Sequence, residues 1–173
     1  GDVISFESRS GVLKVRKEGD LLVLDFPANK PQRAPLPEDF VQSLNITPIQ
    51  CWRGKEDYLL LYRTQREIEL LIPDFRRMEK TDARAVIVTA PGDKADFVSR
   101  FFAPRVGVDE DPVTGSAHTV LIPFWAEKLG KTEMQAMQLS RRGGTLFCRL
   151  AGDRVDIGGL AVTYLKGEIK SEC

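Results

Sequence analysis

Glu110 to His118, EDPVTGSAH, holds two carboxylates, a proline, a glycine, two hydroxyls and the chain's only histidine within nine residues. It stands directly ahead of an apolar run, TVLIPFWAEKLG. A helix starting there presents up to four unpaired N–H groups and roughly half a positive charge, enough to hold an anion without a cationic side chain. Gly115 lets a ligand approach the backbone closely. Thr114 or Ser116 would cap the helix, or would turn its hydroxyl to the ligand. Asp111, ahead of a proline that sets the chain direction, would accept hydrogen bonds from a substrate amine or hydroxyl. Together these residues would make a site for a small carboxylate. The same residue types are also ordinary helix punctuation, with Asp, Ser and Thr as caps and Pro112 as a helix-start residue, and spacing leaves both readings open. His118, one turn into the helix, reads as a satisfied core residue or as a catalyst.

The elements that would carry this stretch can be read from hydrophobic pattern. VISFESRSGVLKV alternates about a Ser10-Gly11 turn, and GDLLVLDFPA follows Glu18-Gly19, so the chain opens as a three-stranded antiparallel meander. LPEDFVQSLNI predicts a short surface helix after Pro37, with Phe40, Val41 and Leu44 on one side. YLLLYR and ARAVIVTAP read as strands. Between them EIELLIPDFRRMEK predicts a strand into Pro73 and then a short helix with Phe75 and Met78 inward. DFVSRFFAP reads as a strand leading into the motif. The segment from about Ser116 to Leu129 is apolar nearly all round, which marks a buried helix. Pro123 lies in its interior, where it removes a backbone hydrogen bond at a cost of about 3 kcal/mol and predicts a kink or local irregularity. Three further strands follow, separated by Gly143-Gly144, Gly152-Asp153 and Gly158-Gly159, glycines that let a sheet bend round that helix. RRGG at Arg141 to Gly144 reads as an anion site or as a solvated basic turn.

Composition narrows the function classes. The chain has 173 residues, 42% of them apolar, with 25 basic against 25 acidic residues and a formal net charge of zero. That length suits one good-sized domain or two small lobes sharing a core. No run of one charge sign offers a footprint for nucleic acid or an anionic membrane, so small molecules are the expected partners. No apolar stretch approaches the roughly 20 residues of a membrane span, and no signal-peptide pattern opens the chain, so a cytoplasmic location is expected. Cys51, Cys148 and Cys173 are odd in number and lack CxxC spacing, which predicts free thiols rather than disulfides or zinc. The chain starts at Gly1 and is in a strand pattern by Val3, as a fragment or a processed chain would be.

EDPVTGSAH followed by LIPFWAEKLGK, then QLSRRGGTLFCRL and RVDIGGLAVTYLKGEI, resembles the C-terminal half of the phenazine-biosynthesis PhzF-like isomerases, relatives of diaminopimelate epimerase. The opening ISFESRSGVLKV and LLVLDFPA resemble the stretch that leaves that family's first lobe. The resemblance implies an α+β, diaminopimelate-epimerase-like fold: two similar lobes, each a curved, mostly antiparallel sheet or barrel round a central helix, with the active site between them. On that basis residues 1–36 would be the last strands of an incomplete first lobe, and 37–173 a second lobe whose central helix spans about 116–129.

The function implied is isomerisation, by cofactor-independent and metal-independent proton transfer on a small carboxylated substrate. The family's founding reaction moves a proton between carbons of a cyclic dihydro-hydroxyanthranilate. By resemblance Asp111 would hold the substrate's polar groups, and Ser116 with Gly115 would bind its carboxylate or enolic oxygen, which makes Asp111 and Ser116 the catalytic candidates. Thr114 would line the position where the racemase relatives carry a cysteine, so two-thiol racemase chemistry is not expected. A single carboxyl shuttle is the family alternative, its pKa raised in a closed apolar cleft. In the family that acid is a glutamate of the first lobe, upstream of this sequence. It would come from a missing N-terminal lobe of the same or another chain, and nothing in the spacing makes Asp109 or Glu110 its replacement. The resemblance also implies a homodimer. The alternative is a non-catalytic small-molecule-binding or scaffolding protein that retains the anion pocket.

Overall fold

A computed structural model describes residues 3–8 and 11–168 of the chain. Among the described residues eleven strands form one sheet: β1 (Val3–Ser8), β2 (Gly11–Glu18), β3 (Leu21–Pro27), β4 (Gln32–Arg33), β5 (Gln50–Arg53), β6 (Asp57–Leu61), β7 (Ala85–Pro91), β8 (Phe97–Phe102), β9 (Glu133–Gln138), β10 (Gly144–Ala151) and β11 (Arg154–Leu160). Four α-helices, α1 (Glu38–Ser43), α2 (Gln65–Glu69), α3 (Phe75–Met78) and α4 (Gly115–Leu129), complete a mostly antiparallel α+β architecture. Across the sheet the order is β1-β2-β3-β11-β10-β9-β8-β7-β6-β5-β4, with only β6–β7 and β8–β9 parallel. β3 pairs with β11 from Leu21 opposite Leu160 to Pro27 opposite Arg154, so the opening meander continues the sheet of the last strand. Of the predicted Ser10-Gly11 turn, Ser10 lies outside the described residues, as does Cys173. Cys51 and Cys148 are buried free thiols.

The central strands are apolar without alternation because both faces of the sheet are covered. Leu59 and Leu61 of β6 and Ala85 and Ile87 of β7 join the cluster round α4, whereas Tyr58, Leu60, Val86, Val88 and Ala90 pack with residues of α1 to α3. Within the first cluster Trp125 stacks on Phe97, ring centroids 5.6 Å apart, and donates its indole N–H to Thr89 Oγ1 at 3.0 Å. Every residue of α4 from Val120 to Ala126 is buried, Pro123 included. The helix runs unbroken from Gly115 to Leu129, and the carbonyl of Thr119, four residues before Pro123, accepts from the backbone N–H of Asn29 at 2.9 Å. The irregularity predicted at Pro123 is thus a carbonyl transferred to a partner outside the helix.

Three expectations need correction. Residues 67–69, predicted as part of a strand into Pro73, lie instead in α2: Thr64 accepts from the Glu67 N–H at 3.2 Å while the Glu67 carboxylate takes the Thr64 N–H. That reciprocal cap, Thr-x-x-Glu, overrides the β-leaning IELLI run. Val41, predicted on one side of α1 with Phe40 and Leu44, is exposed whereas those two are buried, and Ser43 is the other buried residue of that helix. Gly158 and Gly159, predicted between strands, lie inside β11.

Candidate functional site

The EDPVTGSAH loop is anchored at its first residue. Arg100 of β8 donates from Nε and Nη2 to the two oxygens of Glu110, at 2.7 and 3.0 Å, and from Nη1 to the carbonyls of Ile68 and Leu71. Glu110 is therefore committed to an ion pair, and one that is mostly buried. The next residue is tied to the same strand, since the Asp111 N–H donates to the Phe101 carbonyl at 3.1 Å.

Asp111 and Thr114 come together. Thr114 occupies the N-cap position of α4 but makes no side-chain cap; its hydroxyl donates to Asp111 Oδ2 at 2.5 Å. Gln138 at the end of β9 completes the arrangement. Its Nε2 donates to the Asp111 carbonyl at 2.7 Å and to Thr114 Oγ1 at 3.1 Å, and its Oε1 accepts the Thr114 N–H at 2.9 Å. Gln138 was not among the predicted site residues, although period-2 alternation in EMQAMQ places it on the inward face with Met134 and Ala136.

A second brace comes from the RRGG segment. Ser140 Oγ donates to the Pro112 carbonyl at 2.7 Å and accepts the Gly143 N–H at 2.9 Å. Gly143 has φ of 69°, where a side chain is strained, and a Cβ on Gly144 would lie 2.5 Å from Val113 Cγ2. Arg141 and Arg142 themselves are exposed. This glycine pair lets β10 pass close against the motif.

His118 faces the core. Its Nδ1 lies 2.8 Å from the Thr114 carbonyl, an acceptor, so Nδ1 carries the proton and Nε2 is left as a buried lone pair without a partner. Burial lowers its pKa to about 4 against the opposing pull of that carbonyl bond, and the imidazole is neutral at pH 7. The catalytic alternative for this residue has no geometric support.

Ser116 faces elsewhere. It lines a cleft of about 480 Å³ with Phe26, Asn29, Asp57, Arg84 and Thr119, and its hydroxyl accepts from Arg84 Nη2 at 3.3 Å. Arg84 in turn forks onto Asp57, with Nε–Oδ1 at 2.9 Å and Nη2–Oδ2 at 2.5 Å, and lies 3.1 Å from Glu56. Desolvation raises the Asp57 pKa, and the Arg84 pairing opposes it. Gly115 sits between the two groups; a Cβ there would meet Leu24 and Phe26 only at 3.7 Å, so packing alone does not demand glycine. The predicted residues thus divide: Asp111 and Thr114 share one network, Ser116 belongs to another, and the uncapped start of α4 joins them. Among the described residues no group of three or more His, Cys, Asp or Glu side chains is assembled as metal ligands, and no helix is long and apolar enough to cross a membrane.

Residues 1–167 match the family described as phenazine biosynthesis-like protein. An uncharacterized isomerase of Pseudomonas aeruginosa is 46% identical over 98% of this chain and 65% of its own length. Phenazine biosynthesis-like domain-containing protein 2 of Mus musculus is 42% identical over 96% of the chain and 65% of its own length. Among solved structures, a phenazine biosynthesis protein of the PhzF family from Enterococcus faecalis superposes with a TM-score of 0.90 at 38% identity, covering 99% of this chain and 66% of that one. The chain therefore spans about 65% of the length of the curated relatives it matches. By its sequence over nearly its whole length and by its α+β fold, the chain belongs to the phenazine biosynthesis-like, PhzF-type family.

Proposed function

We propose that this chain is the substrate-carboxylate half of a PhzF-like isomerase, one that moves a proton on a small carboxylated substrate without cofactor or metal. The observation that carries the reading is the start of α4, where no side chain caps the helix and the Ser116 hydroxyl opens onto a cleft. The first N–H groups and the helix dipole would hold the carboxylate there, and Gly115, which the packing does not require, would leave the backbone open to it. Asp111, held by Thr114 through Oδ2, keeps Oδ1 for a substrate amine or hydroxyl. The proton-shuttling acid would be a glutamate of an N-terminal lobe whose closing strands would be residues 1–36, with 37–173 as the second lobe round its central helix. The cytoplasmic location expected from the sequence pattern and the homodimer implied by the resemblance are part of the same proposal.

The test is to incubate the complete protein in D₂O with a dihydro-hydroxyanthranilate and follow the substrate by mass spectrometry. One deuterium per molecule is expected, lost in the Asp111→Ala variant. Absence of exchange into this and other cyclic or amino-bearing acids would sink the reading. A second reading, a binding or scaffolding protein without catalysis, is favoured by one observation: the acids that share the cleft with Ser116, Glu56 and Asp57, are both paired to Arg84. In that case Asp111→Ala would weaken ligand binding with no turnover to lose.

A further inference from the structure

The cleft is lined by two cations, Lys55 and Arg84, and of these Arg84 reaches the start of α4 through Ser116. Arg84 precedes β7 and Asp57 opens β6, neighbouring strands that run parallel with Asp57 opposite Ala85. The pairing brings the guanidinium to the helix start. Asp57 is 3% exposed, its two oxygens hold Nε and Nη2 of Arg84, and the Arg84 N–H of the main chain donates to the Glu56 carbonyl at 3.0 Å. The guanidinium also lies over the Phe101 ring, 5.7 Å from its centroid. Its Nη2 then donates to Ser116 Oγ at 3.3 Å.

A hydroxyl has two lone pairs and one proton. With Arg84 filling a lone pair of Ser116, the Ser116 proton is directed away from the guanidinium, and Ser116 lines the cleft. We propose that Arg84 is a positioning residue, held by Asp57, that fixes Ser116 as a hydrogen-bond donor toward a ligand carboxylate at the start of α4. The guanidinium is neutralised by Asp57 and Glu56, so its contribution is to orientation rather than to net charge. This inference rests on the reading of Ser116 as the carboxylate-binding residue.

The experiment titrates anthranilate into ¹⁵N-labelled complete protein and follows the Gly115 and Ser116 amides, for wild type, Arg84→Gln, Ser116→Ala and the double variant. Loss of one hydrogen bond to the carboxylate should weaken binding about 3- to 10-fold in each single variant. The double variant should be no weaker than Ser116→Ala alone, because Arg84 acts through Ser116. Arg84→Lys keeps the charge but lacks the fork that reaches both partners, and it should show the same loss as Arg84→Gln, which provides the reading should the glutamine variant not fold. Wild-type affinity in the Arg84 variants would overturn the inference, and so would losses that multiply in the double variant, since Arg84 would then bind the carboxylate itself. No response of the Gly115 and Ser116 amides in the wild type would instead overturn the carboxylate reading of the site, and the positioning role with it.

Discussion

The backbone N–H of Asn29 donates to the carbonyl of Thr119 at 2.9 Å, in the place that the residue at position 123 would fill in an ordinary helix. Pro123 has no N–H, so the Thr119 carbonyl needs a donor from elsewhere. The segment after β3 supplies it, and the same segment borders the cleft through Ala28 and Asn29. A proline that would be a defect in an isolated helix here fastens that segment to α4.

Replacing Pro123 with alanine should therefore not recover the ~3 kcal/mol that an interior proline costs an ordinary helix. Stability within about 1 kcal/mol of wild type is expected, because the vacant carbonyl is already satisfied and the unfolded chain gains freedom. The Asn29 amide should exchange with solvent faster, as the N–H introduced by Pro123→Ala competes for the same oxygen. Urea denaturation and hydrogen exchange measure both; a large gain in stability with Asn29 still protected would contradict this account.

Gln138→Leu removes both donors and the acceptor that join Asp111 to Thr114, leaving the Asp111 carbonyl and the Thr114 N–H without that partner. A destabilisation of about 2–4 kcal/mol is expected, at the upper end for buried hydrogen bonds lost together. Because the motif loop is what Gln138 holds, weaker anthranilate binding should accompany it at temperatures where the variant is still folded. Unchanged binding in a folded Gln138→Leu protein would show that Asp111 and Thr114 are held by the rest of the loop.

Gly144→Ala should force Val113 aside, since the new Cβ would come within 2.5 Å of Val113 Cγ2. Val113 is branched and packs on the core, so it yields poorly, and a loss of about 1–3 kcal/mol is expected. Adding Val113→Ala should return part of that loss. Two penalties that simply add in the double variant would mean that the strain lies in the β10 backbone and not in this contact.

Stability should fall in acid partly because of His118. Its folded pKa is about 4, below the ordinary 6.5, so the unfolded chain takes up the proton first as pH drops. The stabilisation is complete above pH 6.5 and is lost as pH falls toward about 4. The window corresponds to roughly 3 kcal/mol at full protonation. His118→Phe removes the titration, and its unfolding free energy should depend less on pH than the wild type's between those limits. Parallel curves for the two proteins would exclude the histidine as the source.

Much of the molecule was legible because its signals are local. The apolar circumference of residues 116–129 marked a buried helix, and α4 spans Gly115–Leu129. The turn and proline of EDPVTGSAH placed that motif at a helix start for the same reason: capping and turn preferences depend on residues within one helical turn. Where a local rule was overlooked, as with the Thr64–Glu67 capping box, a strand was expected in place of α2. The site's other half had no such signal. Gln138 reaches Thr114 across 24 positions, Arg84 reaches Ser116 across 32, and Asn29 reaches Thr119 from a segment that precedes α1. Which buried polar group meets which partner depends on strand order and register, and these are set by the joint packing of the sheet's two faces rather than by any short stretch of sequence.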